Sequence, residues 1–335
     1  MQIRAYIRLF GRPGSNPPPP AWASIREQAL AAEAAGFDLV VLEDAALYPD
    51  ESGDAGLWEA MTMAAAIAAS TTTIGIGHAV INNPYRHPTL VARSAVTLDE
   101  ISGGRYRLGI GLGNTPDDYP PFGIDADHRY SRFAEAIAVI HGLLREGRAS
   151  LDGEYYRVPD AELVLRGPRP SGIPIVIAAG KPKAIRLAAR YADEWNWWVE
   201  SDAEGGRERL EALTREVDAA CQEIGRDPAT LRRSVDLFSF TAPVGSDEVA
   251  ALAARLLAYG ELGFDEIRCD VRPGSGLTGA AAMASMSEVV RLVHTGDEHR
   301  LVLRPRQQAT VELRGDPTPP PPNRMSLLQA QRMTV

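Results

Sequence analysis

The chain of 335 residues has only two cysteines, Cys221 and Cys269, and neither lies in a CxxC or any other metal-ligand spacing. No thiolate metal centre is expected, and both thiols read as reduced structural residues. Excess basic charge is missing as well. With a formal net charge of −9 and a pI near 5.3, nucleic acid and anionic membrane surfaces are excluded as general partners, and any anion must be caught by a local pocket. No stretch reaches the roughly 18 apolar residues of a membrane span, and the N-terminus MQIRAYIRLFGRPG has neither a longer apolar segment nor a small-residue cleavage pattern. A soluble, cytoplasmic protein is expected. Ser-His-Asp order, HExxH and a Walker loop are also absent. The alternating glycines of GIGLG lack the spacing and downstream acid of a dinucleotide fold.

What the chain does have is alternation. Ile3 to Phe10 is β-branched, aromatic and aliphatic, and GRPGSNPPPP stops it. AWASIREQALAAEAAG has helical spacing and ends at Gly36 as a C′ residue, and the almost wholly apolar FDLVVLED that follows reads as a strand buried on both faces. The same pair recurs along the chain. Helices are expected at Leu57 to Ala69, Pro88 to Ile101, His128 to Glu146, Lys181 to Ala192, Gly205 to Glu223, Asp247 to Tyr259 and Gly279 to His294. Strands are expected at Thr72 to Ile81, Tyr106 to Gly113, and within IPIVIAAG, EWNWWV, RRSVDLFSF and FDEIRCDV.

Repeated βα units with right-handed crossovers make a (β/α)8 TIM barrel over residues 1–296, with an open doubly wound sheet as the alternative. A polar, hairpin-like excursion, ASLDGEYYRVPDAELVLRGPRP, falls between helix four and strand five, and the Pro-rich segment 297–335 reads as a disordered tail.

Barrel chemistry sits where strands end. That rule selects Glu43, Asp44, His78, Asn82, Asn83, Asn114, Gly180, Lys181, Trp197, Trp198, Ser239, Arg268 and Asp270. In LDEISGGRYRLGIGLGN, Gly103 and Gly104 supply a tight αβ turn and Arg105 opens strand four at the barrel bottom. The missing Cβ atoms at Gly109, Gly111 and Gly113 admit either a flat ligand or a neighbouring strand close to the backbone. Trp195 and Trp197 alternate with Asn196 and Trp198, so one pair faces the barrel. Arg268 and Arg272 are placed to bind an anionic substrate group or to serve as ordinary ion-pair members.

TLDEISGGRYRLGIGLGN, followed by FGIDADHRYSRFAEAIAVIHGLL, together with AGFDLVVLED, GHAVINNPYRHP and IPIVIAAGKPKAIRLAARYADEWN, resembles the bacterial luciferase-like superfamily of FMN- or F420-dependent barrel enzymes. The resemblance covers about Ile3 to Trp198. It implies a flavin lying across the carboxyl ends of the strands and a bulge with a non-proline cis bond at Ala79 and Val80 backing its ring. It also implies a phosphate turn at Ala178, Ala179, Gly180 and Lys181, with Tyr130 and Arg129 as further phosphate contacts. The turn is chemically sensible in itself, since small residues open a helix N-terminus whose dipole favours an anion.

Relatives carry an acid followed by histidine after strand two; here Asp44 matches the acid and Ala45 stands where the histidine would be. Asn114 stands where some deazaflavin dehydrogenases have a proton-donating glutamate, and an amide can orient a substrate but donates no acid proton. His78, beside the bulge, is the candidate base or donor, with a hydrogen-bonded core histidine as the plain alternative. The resemblance thus implies an oxidoreductase, first a two-component monooxygenase using O2 and reduced FMN supplied by a separate reductase. The alternatives are an F420-dependent hydride-transfer enzyme and a non-catalytic flavin-binding protein. Trp197 is expected beside the cofactor, and a homo-oligomer is expected to associate through helices two and three.

Overall fold

A computed structural model describes residues 1–11, 18–50, 53–113, 119–125, 127–169, 172–199, 206–274 and 277–296. Asn114 and the Pro-rich segment 297–335 lie outside the described residues. In chain order the elements are β1 (Gln2–Tyr6), β2 (Phe10–Gly11), α1 (Trp22–Ala35), β3 (Leu39–Leu42), β4 (Leu47–Asp50), β5 (Gly53–Leu57), α2 (Ala60–Ser70), β6 (Gly75–His78), β7 (Ile81–Asn82), α3 (Pro88–Ser102) and β8 (Tyr106–Gly111). They continue as α4 (Arg129–Glu146), β9 (Arg148–Asp152), β10 (Arg157–Glu162), β11 (Ile175–Ala178), α5 (Pro182–Tyr191), β12 (Glu194–Val199), α6 (Gly206–Glu223), β13 (Arg232–Thr241), α7 (Ser246–Glu261), β14 (Glu266–Arg272), α8 (Gly279–Ser285) and α9 (Ser287–Thr295).

Strands β1, β3, β6, β8, β11, β12, β13 and β14 pair in parallel, and β11 closes on β8, so the expected (β/α)8 barrel is the observed one. Each strand turns alternate side chains to the helices and to the barrel interior. The outward set (Ile3, Val40, Ile76, Leu108, Ile177, Val235 and Ile267 among them) packs on the helices in one continuous core.

The αβ turn expected at Gly103 and Gly104 is present. Gly103 ends α3 in the left-handed region (φ 65°), its N–H meeting the carbonyls of Asp99 and Glu100. Arg105 then donates to the carbonyls of Ile74 (2.5 Å), Ala68 (2.9 Å), Thr71 (3.0 Å) and Ser102 (2.7 Å). It thereby satisfies acceptors that the end of α2 leaves without helical partners.

The expected excursion is the antiparallel hairpin β9–β10. Two features differ from expectation. The last helix is two helices, α8 and α9, meeting at Met286. A three-stranded antiparallel sheet, β2–β5–β4, joins the segment after β1 to the segment after β3. LYPDESGDAGL lacks period-two apolar residues, and Leu57, expected to open a helix, instead ends β5; the pairing partner, Phe10–Gly11, lies far away in sequence.

The floor of the barrel is ionic. Arg4 pairs with Glu194 and Glu266, and Arg107 reaches Glu266 (2.6 Å) and Glu194 (3.5 Å). Burial pulls the Arg107 guanidinium down to about 10 against the attraction of Glu194. Burial would raise the Glu194 carboxyl, but Arg4 and Arg107 outweigh it and hold the group below its ordinary value.

Candidate active site at the barrel mouth

Above that ionic floor, the interior residues of β1, β3 and the bulge after β6 make an apolar wall, with Tyr6, Leu39 and Val41 packed together and Ala79 against them. The opposite wall, from β12, β13 and β14, is polar. Arg268 Nε lies 3.2 Å from Asp236 Oδ1, and its Cζ sits 4.8 Å from the Tyr6 ring centroid. Asn196 Nδ2 donates to Ser234 Oγ (3.0 Å) and Asp236 Oδ1 (3.2 Å). Sequence reasoning found Arg268 but missed Asp236 and Tyr6. The usable signal was an aspartate inside the otherwise apolar SVDLF, where a buried charge requires a partner.

The glycines of β8 serve a neighbouring strand. A Cβ on Gly109 would lie 1.8 Å from the His78 carbonyl oxygen, and one on Gly111 would lie 2.9 Å from Val80 Cγ2. Gly113, at φ +97°, has Asn82 Oδ1 and the Tyr119 hydroxyl where its Cβ would be. The Ala79–Val80 peptide is cis. The chain here forms a low shelf at the mouth bearing no side chain larger than valine.

Asp44 braces this shelf. It accepts the Asn82 N–H (2.8 Å) and both terminal nitrogens of Arg86 (2.6 and 2.9 Å). Arg86 also pairs with Glu59, which caps α2 by accepting the Thr62 N–H at 2.7 Å. Burial would raise the Glu59 carboxyl, but Thr62 and Arg86 overcome it and bring it to about 2. Asp44, expected among the catalytic residues, is held by Asn82 and Arg86 in this bracing position. Its neighbour Glu43, also buried, is the acid whose charge reaches Arg268.

His78, the candidate base or donor, is buried with both ring nitrogens partnered. Its Nδ1 lies 2.9 Å from the Tyr106 hydroxyl and its Nε2 lies 3.3 Å from the Ala60 carbonyl, so the ring points towards α2 and away from the mouth. Burial pulls His78 down to about 4, with Asp44 a smaller opposing influence. The unfolded chain takes up this proton near the usual histidine value of about 6.5, before the folded one does, so the stability it contributes is complete above that value and is lost as pH falls towards 4. Between pH 7.5 and 5.0 this one group is expected to cost about 2 kcal/mol. Urea unfolding of wild type and His78→Gln at both pH values checks it; parallel pH dependences would refute the assignment.

The turn before α5 gathers several expected residues. Lys181 is the extended N-cap of α5. A Cβ on Gly180 would lie 2.1 Å from the Trp197 ring, which stacks at 5.9 Å on Trp198. Trp195 is fully buried and donates from Nε1 to the Ala179 carbonyl (2.7 Å), tying Ala178–Ala179 down. Lys183 Nζ lies 5.8 Å from the Tyr130 ring centroid, and Arg129 donates to the Gly113 carbonyl at 2.8 Å. The starts of α4 and α5 thus meet beside the end of β8, with cations on both. A separate cleft of about 700 Å³, lined by Gln2, Asp38, Arg232 and His294, opens at the opposite end of the barrel.

Comparison with known proteins gives the family and the fold. A family model described as luciferase-like monooxygenase matches residues 1–309. The chain is 35% identical over 165 residues to 4-hydroxyprotoasukamycin monooxygenase of Streptomyces nodosus subsp. asukaensis, covering 43% of this chain and 44% of that protein. It is 38% identical over 166 residues to an F420-dependent glucose-6-phosphate dehydrogenase of Beutenbergia cavernae, covering 48% of each. The chain thus spans less than half the length of these two curated relatives. Among solved structures, an F420-dependent secondary alcohol dehydrogenase in complex with an F420-acetone adduct superposes with a TM-score of 0.72 at 17% identity, covering 87% of this chain and 98% of that one. At that identity the likeness is one of fold. Among the described residues, no helix is long and apolar enough to cross a membrane.

Proposed function

The chain belongs to the luciferase-like monooxygenase family, and from that premise we propose that it is a two-component flavin-dependent monooxygenase acting on a small organic substrate. The observation that carries this reading is the low shelf at the mouth: the His78 carbonyl and Val80, on either side of Ala79, are seated in space that Gly109 and Gly111 leave open, beside a helix N-terminus flanked by Lys181 and Lys183. A flat tricyclic ring suits such a shelf, and a phosphate suits backbone N–H groups at a helix start. When bound, reduced FMN would supply the electron pair that activates O2; a separate reductase would reduce it.

The residues of this chain do the rest. Ala79 and Val80 support the ring, and Asp44 and Arg86 hold the shelf in register. Gly180, Lys181 and Tyr130 hold the phosphate end, Trp197 and Trp198 exclude water along one side, and Tyr6, Asp236 and Arg268 face the substrate. A second reading, hydride transfer with F420, is favoured by the F420-dependent relatives at 38% and 33% identity.

Anaerobic titration of the purified chain with reduced FMN and, separately, with F420 decides between them. Micromolar affinity for reduced FMN and consumption of O2 on re-aeration are expected. Preference for F420 would select the second reading, and failure to bind either would remove both, leaving a fold without its cofactor.

A further inference from the structure

The substrate wall of the mouth has an unusual charge arrangement. Arg268 is nine-tenths buried, a setting in which a lone guanidinium would recruit a carboxylate or phosphate. Here the anion is already built in. Asp236 Oδ1 stands 3.2 Å from Nε, and Asn196 Nδ2 donates to the same oxygen at 3.2 Å. Asp270 and Glu43 add two further negative charges that act on the same guanidinium. Among the described residues, Nε of Arg268 has no aligned hydrogen bond, and the Tyr6 ring covers one face of the group.

An incoming anion would therefore meet a buried guanidinium already paired with Asp236 and acted on by further carboxylates, where like charges repel strongly. A neutral group meets no such repulsion. A carbonyl or amide oxygen takes the N–H donors of Arg268, and a hydroxyl donates to lone pairs of Asp236, since a carboxylate has about four acceptor sites. We propose that the mouth selects an uncharged substrate bearing both a carbonyl-type oxygen and a hydroxyl, and discriminates against carboxylates and phosphates. This rests on the mouth being the substrate site, as in the function proposed above. Of the two roles the sequence allows Arg268, anion binder or ion-pair member, it builds on the second.

The test uses two probes of one shape, 4-hydroxybenzamide and 4-hydroxybenzoate, titrated at pH 7 into the full chain by calorimetry or ligand-observed NMR. The amide is expected to bind at least about tenfold more tightly (a 1.4 kcal/mol difference), and Asp236→Asn is expected to close that gap by strengthening benzoate. Benzoate binding as tightly as the amide, an unchanged ratio in the variant, or no binding of either probe in the millimolar range would overturn the proposal; the wild-type ratio stands even if the variant does not fold. Titrating reduced FMN and F420 into the same wild-type preparation separates the two failures. Cofactor binding with the wrong probe order sinks this inference alone, whereas loss of cofactor binding sinks the parent reading.

Discussion

Glu266→Gln is expected to destabilise the chain by about 3–5 kcal/mol, the range for removing one partner of a buried ion pair. Glu266 is fully buried and pairs with Arg4, with Arg107 at 2.6 Å and with Arg232 at 3.5 Å. Neutralising it leaves Arg4 and Arg107 to share Glu194 in the floor of the barrel, and no water replaces the lost charge at low cost. Added salt should restore little, because screening acts mainly on exposed charges. The double variant Arg4→Met/Glu266→Met leaves Glu194 facing Arg107 and the more exposed Arg232 (3.9 Å), and should recover much of the loss, because whole buried pairs are often replaceable by apolar groups. Urea unfolding of the three proteins at pH 7.5 checks this. If the double variant is as unstable as Glu266→Gln, the loss comes from packing and the ionic account is wrong.

Gly109→Ala is expected to weaken cofactor affinity by about 100-fold, the scale on which a displacement of about 1 Å disrupts positioned groups. The new Cβ would lie 1.8 Å from the His78 carbonyl oxygen and 2.9 Å from its carbon. Both are backbone atoms, so no side-chain rotation relieves the clash and the shelf itself must move. Overpacking of this kind also costs about 1–3 kcal/mol in stability. Gly103→Ala is the control. Gly103 has φ 65° and open space around it, so alanine there incurs the left-handed backbone penalty of about 1–2 kcal/mol. It lies at the other end of the barrel and should leave cofactor affinity unchanged. Titration of both variants with reduced FMN and F420 distinguishes them; unaltered binding by Gly109→Ala would mean that the shelf carries no cofactor.

The barrel was legible because its signals are local. FDLVVLED, IPIVIAAG and EWNWWV are short apolar runs between helical repeats, and Gly36 and Gly103 end α1 and α3 as their spacing predicts. The β2–β5–β4 sheet was not legible, since its strands carry no periodicity of their own and exist by pairing with a distant segment. Among the expected site residues, Gly180 and Trp197 do meet at the turn before α5. Asp44 and His78 sit at strand ends as the pattern required, but Asp44 is held by Asn82 and Arg86 and the His78 ring points towards α2, while Tyr6 and Asp236 line the interior without having been singled out.

By itself, then, the sequence determined the alternation of strand and helix, the closed parallel barrel it implies, and the end of the barrel where chemistry collects. Only the tertiary structure decided which acid of the pair Glu43–Asp44 faces the mouth and whether His78 is a base or a core residue. Whether Arg268 is a free cation or an already compensated one was decided there too. The physical reason is the two-residue period of a strand: a shift of one position exchanges its two faces, and the phase is set by pairing, by the bulge after β6 and by partners such as Arg86, Tyr106 and Asp236, which come from other elements of the barrel.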